Sequence, residues 1–271
     1  MTSIHQYRRV LTVAGSDPSG GAGIQADLKT VSACGCYGMS AITAIVDEDT
    51  AGVYGVYPVP EAFVCGQIRS VLDDIGADAI KIGMLYSSSL IVAVWKCLAA
   101  YSPRNIVLDP VMVSTSGNKL LQMDAVQTLK EKLIPAARII TPNFPEAAVL
   151  LGSEIKETDF IRAAKELSCN RRVSVLLKAG HLRGDTLTDI FYNAEEDAIV
   201  ELASRRINTC NTHGTGCTLS SAIAAFLAHR LPLTEAVRQG KNYVYQAIET
   251  GAAYKTGKGH GPVHHFFEWW K

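Results

Sequence analysis
The sequence predicts an α/β fold, a single domain over residues 1–271 with a mainly parallel central sheet and helices on both faces. Three observations carry that reading. Short β-branched runs alternate with longer amphipathic segments from end to end, which is the pattern of βαβ units. No linker, internal repeat or low-complexity tract divides the chain, and α/β sheets of this size commonly fold as one domain. Around residues 185–206 the pattern turns to polar alternation, as in DIFYN and IVELAS, which reads as antiparallel strands at a sheet edge.

Taken in order, the first strand spans 10–14 and is followed by a helix over 23–33. A strand over 40–46 precedes a helix over 61–75, and a strand over 79–82 precedes a helix over 89–99. Strands over 105–108 and 137–140 enclose a helix over 125–133, and helices over 146–151 and 159–167 lead to a strand over 173–177. Each strand run is too short for a helix and is closed by turn residues. Helices over 217–229 and 234–252 complete the chain.

Charge and cysteine usage narrow the function. Lys and Arg total 26, as do Asp and Glu, so no net field steers the chain to nucleic acid or anionic lipid, and neither partner is expected. Residues 1–10 are polar, and the apolar stretch after them breaks at Gly15, so neither a signal peptide nor a membrane span is expected. Seven cysteines without a CxxC pair suggest reduced thiols, with the cytoplasm as the expected compartment.

In open α/β sheets ligands bind at the carboxyl ends of strands, so the loops after each run hold the candidate chemistry. His213-Gly-Thr-Gly-Cys217 runs into an alanine-rich helix, so its backbone N–H groups converge beside the positive end of the helix dipole. That is an anion hole suited to a phosphoryl group in transfer, although an ordinary glycine-rich N-cap explains the same string. A helix N-terminus lowers a thiol's pKa, so Cys217 is expected to ionise near neutrality and take a proton from an alcohol. The alternative is a small buried residue. Asp109, Asn143 and Glu146 fall at the carboxyl edge as oxygen ligands suited to Mg²⁺, against a turn aspartate and a helix cap with its first-turn acid. Lys178 ends another strand and reads either as a cation for phosphate or as a solvated rim lysine.

A rival reading comes from Gly21-Ala-Gly23-Ile-Gln-Ala26, which fits GxGxxA, with Asp47, Glu48 and Asp49 placed to hold a ribose. That nicotinamide oxidoreductase reading needs its first glycine directly after the strand, where Gly15-Ser-Asp-Pro-Ser-Gly intervenes instead. A non-catalytic nucleotide-binding regulator would keep the loops without needing the thiol. Cys34-Gly-Cys36 reads as a helix terminus, and His264-His265 with Trp269-Trp270 as packing at the C-terminus.

Seven strings in order, VAGSDPSGGAGIQADLKT, KIGM, VLDPVM, TPNFPEA, LLKAGH, NTHGTGCTLSSAIAA and GKGHGPVHHFFEWW, resemble hydroxymethylpyrimidine/phosphomethylpyrimidine kinases of thiamin biosynthesis. The resemblance covers nearly the whole chain. It implies a ribokinase-like three-layer sandwich and an enzyme that uses ATP and Mg²⁺ to phosphorylate hydroxymethylpyrimidine and then its monophosphate. It further implies that Cys217 is the base, that Gly214, Thr215 and Gly216 hold the transferring group, and that Lys178 offsets phosphate charge. Asn143, Glu146 and Asp109 would organise Mg²⁺ and nucleotide. Glu48, Met84, Val111, Asp27 and Gly15 would meet the pyrimidine, and a homodimer is implied. The family usually has Ala-Gln-Asn-Thr where this chain has Asp47-Glu48-Asp49-Thr50. An ionised carboxylate only accepts hydrogen bonds, whereas an amide also donates, so Glu48 bears on substrate choice. Pyridoxine or pyridoxal kinase is the nearest alternative within the fold.

Overall fold
A computed structural model describes residues 5–112, 123–180 and 184–270. His181, which the sequence analysis counted in a loop at the sheet edge, lies outside the described residues. Eight strands form one sheet: β1 (Arg9–Ala14), β2 (Tyr37–Ile42), β5 (Ala79–Ile82), β6 (Ile106–Leu108), β7 (Ile139–Ile140), β8 (Ser174–Leu177), β9 (Thr186–Asn193) and β10 (Ala198–Arg205). Their order is β10-β9-β8-β7-β6-β5-β1-β2. The strands from β2 to β8 are mutually parallel, and β9 and β10 are antiparallel, as the polar alternation around 185–206 predicts.

The period of two along each strand divides the apolar side chains between two cores. Ile80, Ile82, Ile106, Leu108, Val175 and Leu177 face one side. They meet α2 (Glu61–Asp74), α3 (Ser88–Ala99), α4 (Met123–Thr128), α5 (Phe144–Leu151) and α6 (Phe160–Leu167). Ala79, Val107, Ile139 and Leu176 face the other side, against α1 (Gly23–Ala33), α7 (Thr215–Ala228) and α8 (Leu233–Gly251). This is the three-layer sandwich.

The predicted strand over 40–46 divides at Thr43. Its N–H donates to the Ala14 carbonyl and its hydroxyl to the Met84 carbonyl, so the chain is pinned at the sheet edge and leaves the sheet. The continuation, β3 (Ala44–Glu48), pairs with β4 (Val53–Pro58) as a separate antiparallel hairpin. The sequence analysis missed β4, whose Gly55 and Pro58 resemble loop residues. Thr50 at the hairpin tip is held by the C-terminal segment: its hydroxyl accepts from the N–H groups of Lys258 and Gly259, and its carbonyl from that of His260. The C-terminal rings pack as expected, with His264 between Tyr254 and Trp270 at centroid distances of 4.9 and 5.4 Å.

From β1 the chain runs outward to β2, and from β5 it runs the opposite way to β6, so the order reverses between β1 and β5. The crevice at such a reversal is where a ligand binds in a parallel sheet.

Candidate active site
The crevice is closed by the first turn of α7. Gly214 caps that helix at φ +78°, a conformation that favours glycine, and a Cβ there would collide with the Gly21 carbonyl oxygen. The loop after β1 is thus seated directly on the first turn of α7. A Cβ on Gly216 would lie 3.2 Å from Asp109 Oδ2 and 3.4 Å from Lys178 Nζ, which places the ends of β6 and β8 over the same turn. Asp109 is buried, accepts from Thr141 Oγ1 at 3.0 Å and pairs with Lys178 Nζ at 3.1 Å. Burial alone would lower the Lys178 ammonium, but the charges of Asp109 and Glu146 outweigh it and hold the pKa above its ordinary value. Lys178 is therefore a nearly buried cation beside the hole, not a solvated rim lysine.

Asn143 and Glu146 form a capping box. Asn143 Oδ1 accepts from the Glu146 N–H at 2.9 Å, and Glu146 Oε2 accepts from the Asn143 N–H at 2.7 Å. Burial pushes the Glu146 carboxyl up to about 7, Lys178 pulls it down and Asp109 adds to the rise. A divalent cation suits this arrangement: two carboxyl groups and an amide oxygen share one edge, and a cation there would relieve the unfavourable ionisation of Glu146. Because the capping bonds engage Asn143 and Glu146, the arrangement favours contact through water.

On the other side of the crevice Gly15 abuts Met84, whose Sδ and Cε lie 3.5 Å from a Cβ built at Gly15. Met84 forms a small apolar cluster with Ala44 and Val46 of β3, and Val53, Val56, Tyr86 and Val111 pack around it. These residues make the apolar wall. Glu48, at the irregular end of β3, closes it beside His213 and Asp17. His213 Nε2 lies 2.8 Å from Asp17 Oδ2 and 3.9 Å from Glu48 Oε1.

Asp17 accepts hydrogen bonds from the N–H groups of Ser19, Gly21 and Ala22. Burial would raise its carboxyl, but bonds from His213, Ser19 and Ala22 hold it well below the usual range. Two neighbouring carboxylates cannot both ionise easily in a buried place. Burial first, and then Asp17, pushes Glu48 up to about 8. Glu48 is therefore held toward its neutral form, with His213 pulling the other way, and a neutral carboxyl donates as well as accepts. These surroundings oppose the ionised, accept-only form expected from the sequence.

Two further expectations are corrected. Asp27 is fully buried, and Thr12, Ser221 and Lys81 bond its two oxygens, so it presents no surface to a ligand. Cys217 sits in the first turn of α7, but burial pushes its thiol up to about 12; Lys81 and the Gly23 N–H pull it down, while Asp27 and Asp109 push it up. The residue keeps some accessible surface, and desolvation outweighs the helix terminus. Asp17, Thr141 and Lys81 received no role from the sequence. Lys81 left a signal, since a lysine inside the apolar run Ala79–Ile82 must find a buried partner.

A model of the phosphomethylpyrimidine kinase family matches residues 17–264. The hydroxymethylpyrimidine/phosphomethylpyrimidine kinase of Rhizobium meliloti is 48% identical over 263 residues, 96% of this chain and 98% of the relative. The chain belongs to the phosphomethylpyrimidine kinase family. The phosphomethylpyrimidine kinase of Clostridium difficile is 43% identical in its solved structure, with a TM-score of 0.77 over 89% of this chain and 99% of that one. The ADP complex of Bacillus subtilis pyridoxal kinase is 37% identical, with a TM-score of 0.87 over 96% of this chain and 98% of that one. The fold is accordingly the ribokinase-like one of these kinases, and the dinucleotide reading of Gly21–Ala26 falls away: in this structure the glycine-rich loop after β1 packs on the first turn of α7.

Proposed function
We propose that this chain transfers the γ-phosphoryl group of ATP to the hydroxymethyl oxygen of 4-amino-5-hydroxymethyl-2-methylpyrimidine, and then phosphorylates the monophosphate to the pyrophosphate. The observation that carries this reading is the meeting of three features in one crevice. The first turn of α7 presents its backbone at the positive end of the helix, the Asp109–Lys178 pair lies over that turn, and an apolar wall with Glu48 held toward its neutral form faces it.

The residues divide the work. Gly214 and Gly216 hold the transferring group through backbone N–H groups, which act most strongly where charge develops, with Thr215, whose N–H donates to the Thr212 carbonyl at 3.3 Å, between them. Lys178 balances that charge. Asn143, Glu146 and Asp109 would hold Mg²⁺, largely through water, and the cation would neutralise phosphate charge when bound. Met84, Val111 and Gly15 receive the ring, and Glu48 both donates to and accepts from its polar edge. Cys217 in its thiolate form takes the hydroxyl proton as the alcohol oxygen bonds to the γ-phosphorus. The bond from phosphorus to the bridging oxygen breaks, ADP leaves with the electron pair, and the thiol returns its proton to water.

Incubation with ATP, Mg²⁺ and the aminopyrimidine alcohol, followed by mass spectrometry, tests the proposal. Successive gains of one and two phosphoryl groups are expected, and an unchanged alcohol would overturn it. The likeness to pyridoxal kinase supports a second reading, phosphorylation of pyridoxal. Turnover of pyridoxal equal to or above that of the pyrimidine would favour it. No helix among the described residues is long and apolar enough to cross a membrane. A cytoplasmic homodimer acting on small molecules is part of the same proposal.

A further inference from the structure
The string GKGHGP at residues 257–262, to which the proposed function gives no role, runs from the tip of the β3–β4 hairpin to the loop before α7. Its three glycines alternate, and each lacks a side chain where one would strike a neighbour. A Cβ on Gly257 would collide with the Thr50 hydroxyl, one on Gly259 with the Thr50 carbonyl oxygen and one on Gly261 with Asn211 Oδ1. The strap therefore lies flat against both of its anchors. At the hairpin end, Thr50 Oγ1 accepts from the N–H groups of Lys258 and Gly259 at 3.1 and 3.0 Å, and the Thr50 carbonyl accepts from the His260 N–H at 2.8 Å. At the other end, the Gly261 carbonyl accepts from the His213 N–H at 3.0 Å, and Pro262 pairs with His213 in a short parallel bridge. Buried Asn211 ties this end to the terminus of α8, its amide donating to the carbonyls of Gly251 and Tyr254 at 2.7 and 2.6 Å.

The two anchors adjoin two side chains that face each other in the crevice. Thr50 follows Glu48 by two residues, His213 is itself the second anchor, and Glu48 Oε1 stands 3.9 Å from His213 Nε2. β3 and β4 form a two-stranded sheet of their own, and a lone hairpin is marginal unless something else holds it. Its root is fixed where the Val59 N–H donates to the Thr43 carbonyl, whereas Glu48 lies at the far, irregular end of β3, beside the tip that Thr50 carries. We propose that the strap of residues 257–262 holds Glu48 in place opposite His213, which makes Thr50 and Gly259 positioning residues for recognition of the substrate ring. Both act through Glu48 and not by touching the ring. The inference rests on the reading of Glu48 as a contact of the ring's polar edge.

The test starts from Thr50→Val, which keeps the shape of the side chain and removes its hydroxyl acceptor. KM for the pyrimidine is expected to rise ~10-fold, with kcat and KM for ATP within ~3-fold of the wild type. Gly259→Ala, which sets a Cβ against the Thr50 carbonyl, is expected to give the same split. Gly52→Ala, in the same hairpin but with open space around the added carbon, is expected to leave KM and kcat unchanged. Thr50→Ser, which keeps the hydroxyl, is expected to restore KM to within ~3-fold. Hydrogen exchange without ligands, read by mass spectrometry, is expected to quicken ~10-fold or more over residues 44–58 in Thr50→Val and Gly259→Ala, and to hold the wild-type rate over residues 215–228. Should Thr50→Val lose its native circular dichroism, Gly259→Ala carries the comparison. Wild-type KM or wild-type exchange over 44–58 in a folded strap variant would overturn the inference. So would an equal rise of KM in Gly52→Ala, a failure of Thr50→Ser to restore KM, or a parallel fall in kcat with faster exchange in α7. If the wild type phosphorylates pyridoxal and not the pyrimidine, the substrate assignment fails on its own, and KM for pyridoxal together with the exchange rates then decides the inference.

Discussion

At the residue scale, the surroundings decide the chemistry of the two groups for which residue type alone was misleading. Glu48 stands where the family usually carries glutamine, and its burial beside the ionised Asp17 keeps it protonated below about pH 8. A carboxyl whose pKa is raised keeps its proton below that value and loses it above. The KM for the pyrimidine is therefore expected to rise as pH passes 8, and Glu48→Gln to remove that rise while leaving KM at pH 7 within ~3-fold. Steady-state kinetics from pH 6 to 9.5 make the comparison. Cys217 titrates the other way in effect, because its active form is the deprotonated one. With the thiol at about 12, kcat is expected to climb across the neutral range as the thiolate fraction grows. Cys217→Ala is expected to lower kcat by roughly 10²–10⁴-fold with ATP affinity little changed, checked by turnover and nucleotide titration. Neither environment was visible in the sequence, because Asp17 lies 31 positions before Glu48 and Asp27 lies 190 before Cys217.

At the element scale, the helix after the glycine-rich string was legible because its composition and its place after a turn agree. Its start at Thr215, two residues ahead of the position expected from sequence, follows from Gly214 taking the left-handed cap. The capping box at Asn143 and Glu146 was anticipated as the plain alternative to a metal site, and the hydrogen bonds show it in place. The hairpin was read poorly. Residues 40–46 form a continuous β-prone run, and only the tertiary bonds of Thr43 to Ala14 and Met84 reveal that the chain changes sheets there. Gly214→Ala would place a Cβ against the Gly21 carbonyl in a backbone conformation that L-residues rarely adopt. A stability loss of about 1–3 kcal/mol by urea titration is expected. Turnover is expected to fall ~10²-fold or more, because even a small misplacement of the donors spoils the geometry for transfer.

At the scale of the whole molecule, the alternation of short strands and longer helices sufficed to give the layers, the single domain and the antiparallel edge. The strand order did not follow from that alternation, since the reversal between β1 and β5 depends on which side of β1 each crossover returns. α7 joins the two levels of organisation: its first turn forms the anion hole, and Ile223, fully buried two turns further on, packs in the core beneath. Ile223→Ala is expected to cost about 2–5 kcal/mol in equilibrium unfolding, from lost burial and the cavity left behind. The central claim is that the start of α7 and the Cys217 sulfur receive a phosphoryl group moving toward a ring-borne alcohol. A crystal structure with hydroxymethylpyrimidine and a non-hydrolysable ATP analogue tests it most directly. The account predicts the terminal phosphate against the N–H groups of residues 214–217, with the hydroxymethyl oxygen about 3–3.5 Å from the sulfur or from phosphorus. A terminal phosphate bound away from that turn, or a ring seated outside the wall of Gly15, Met84 and Val111, would contradict it.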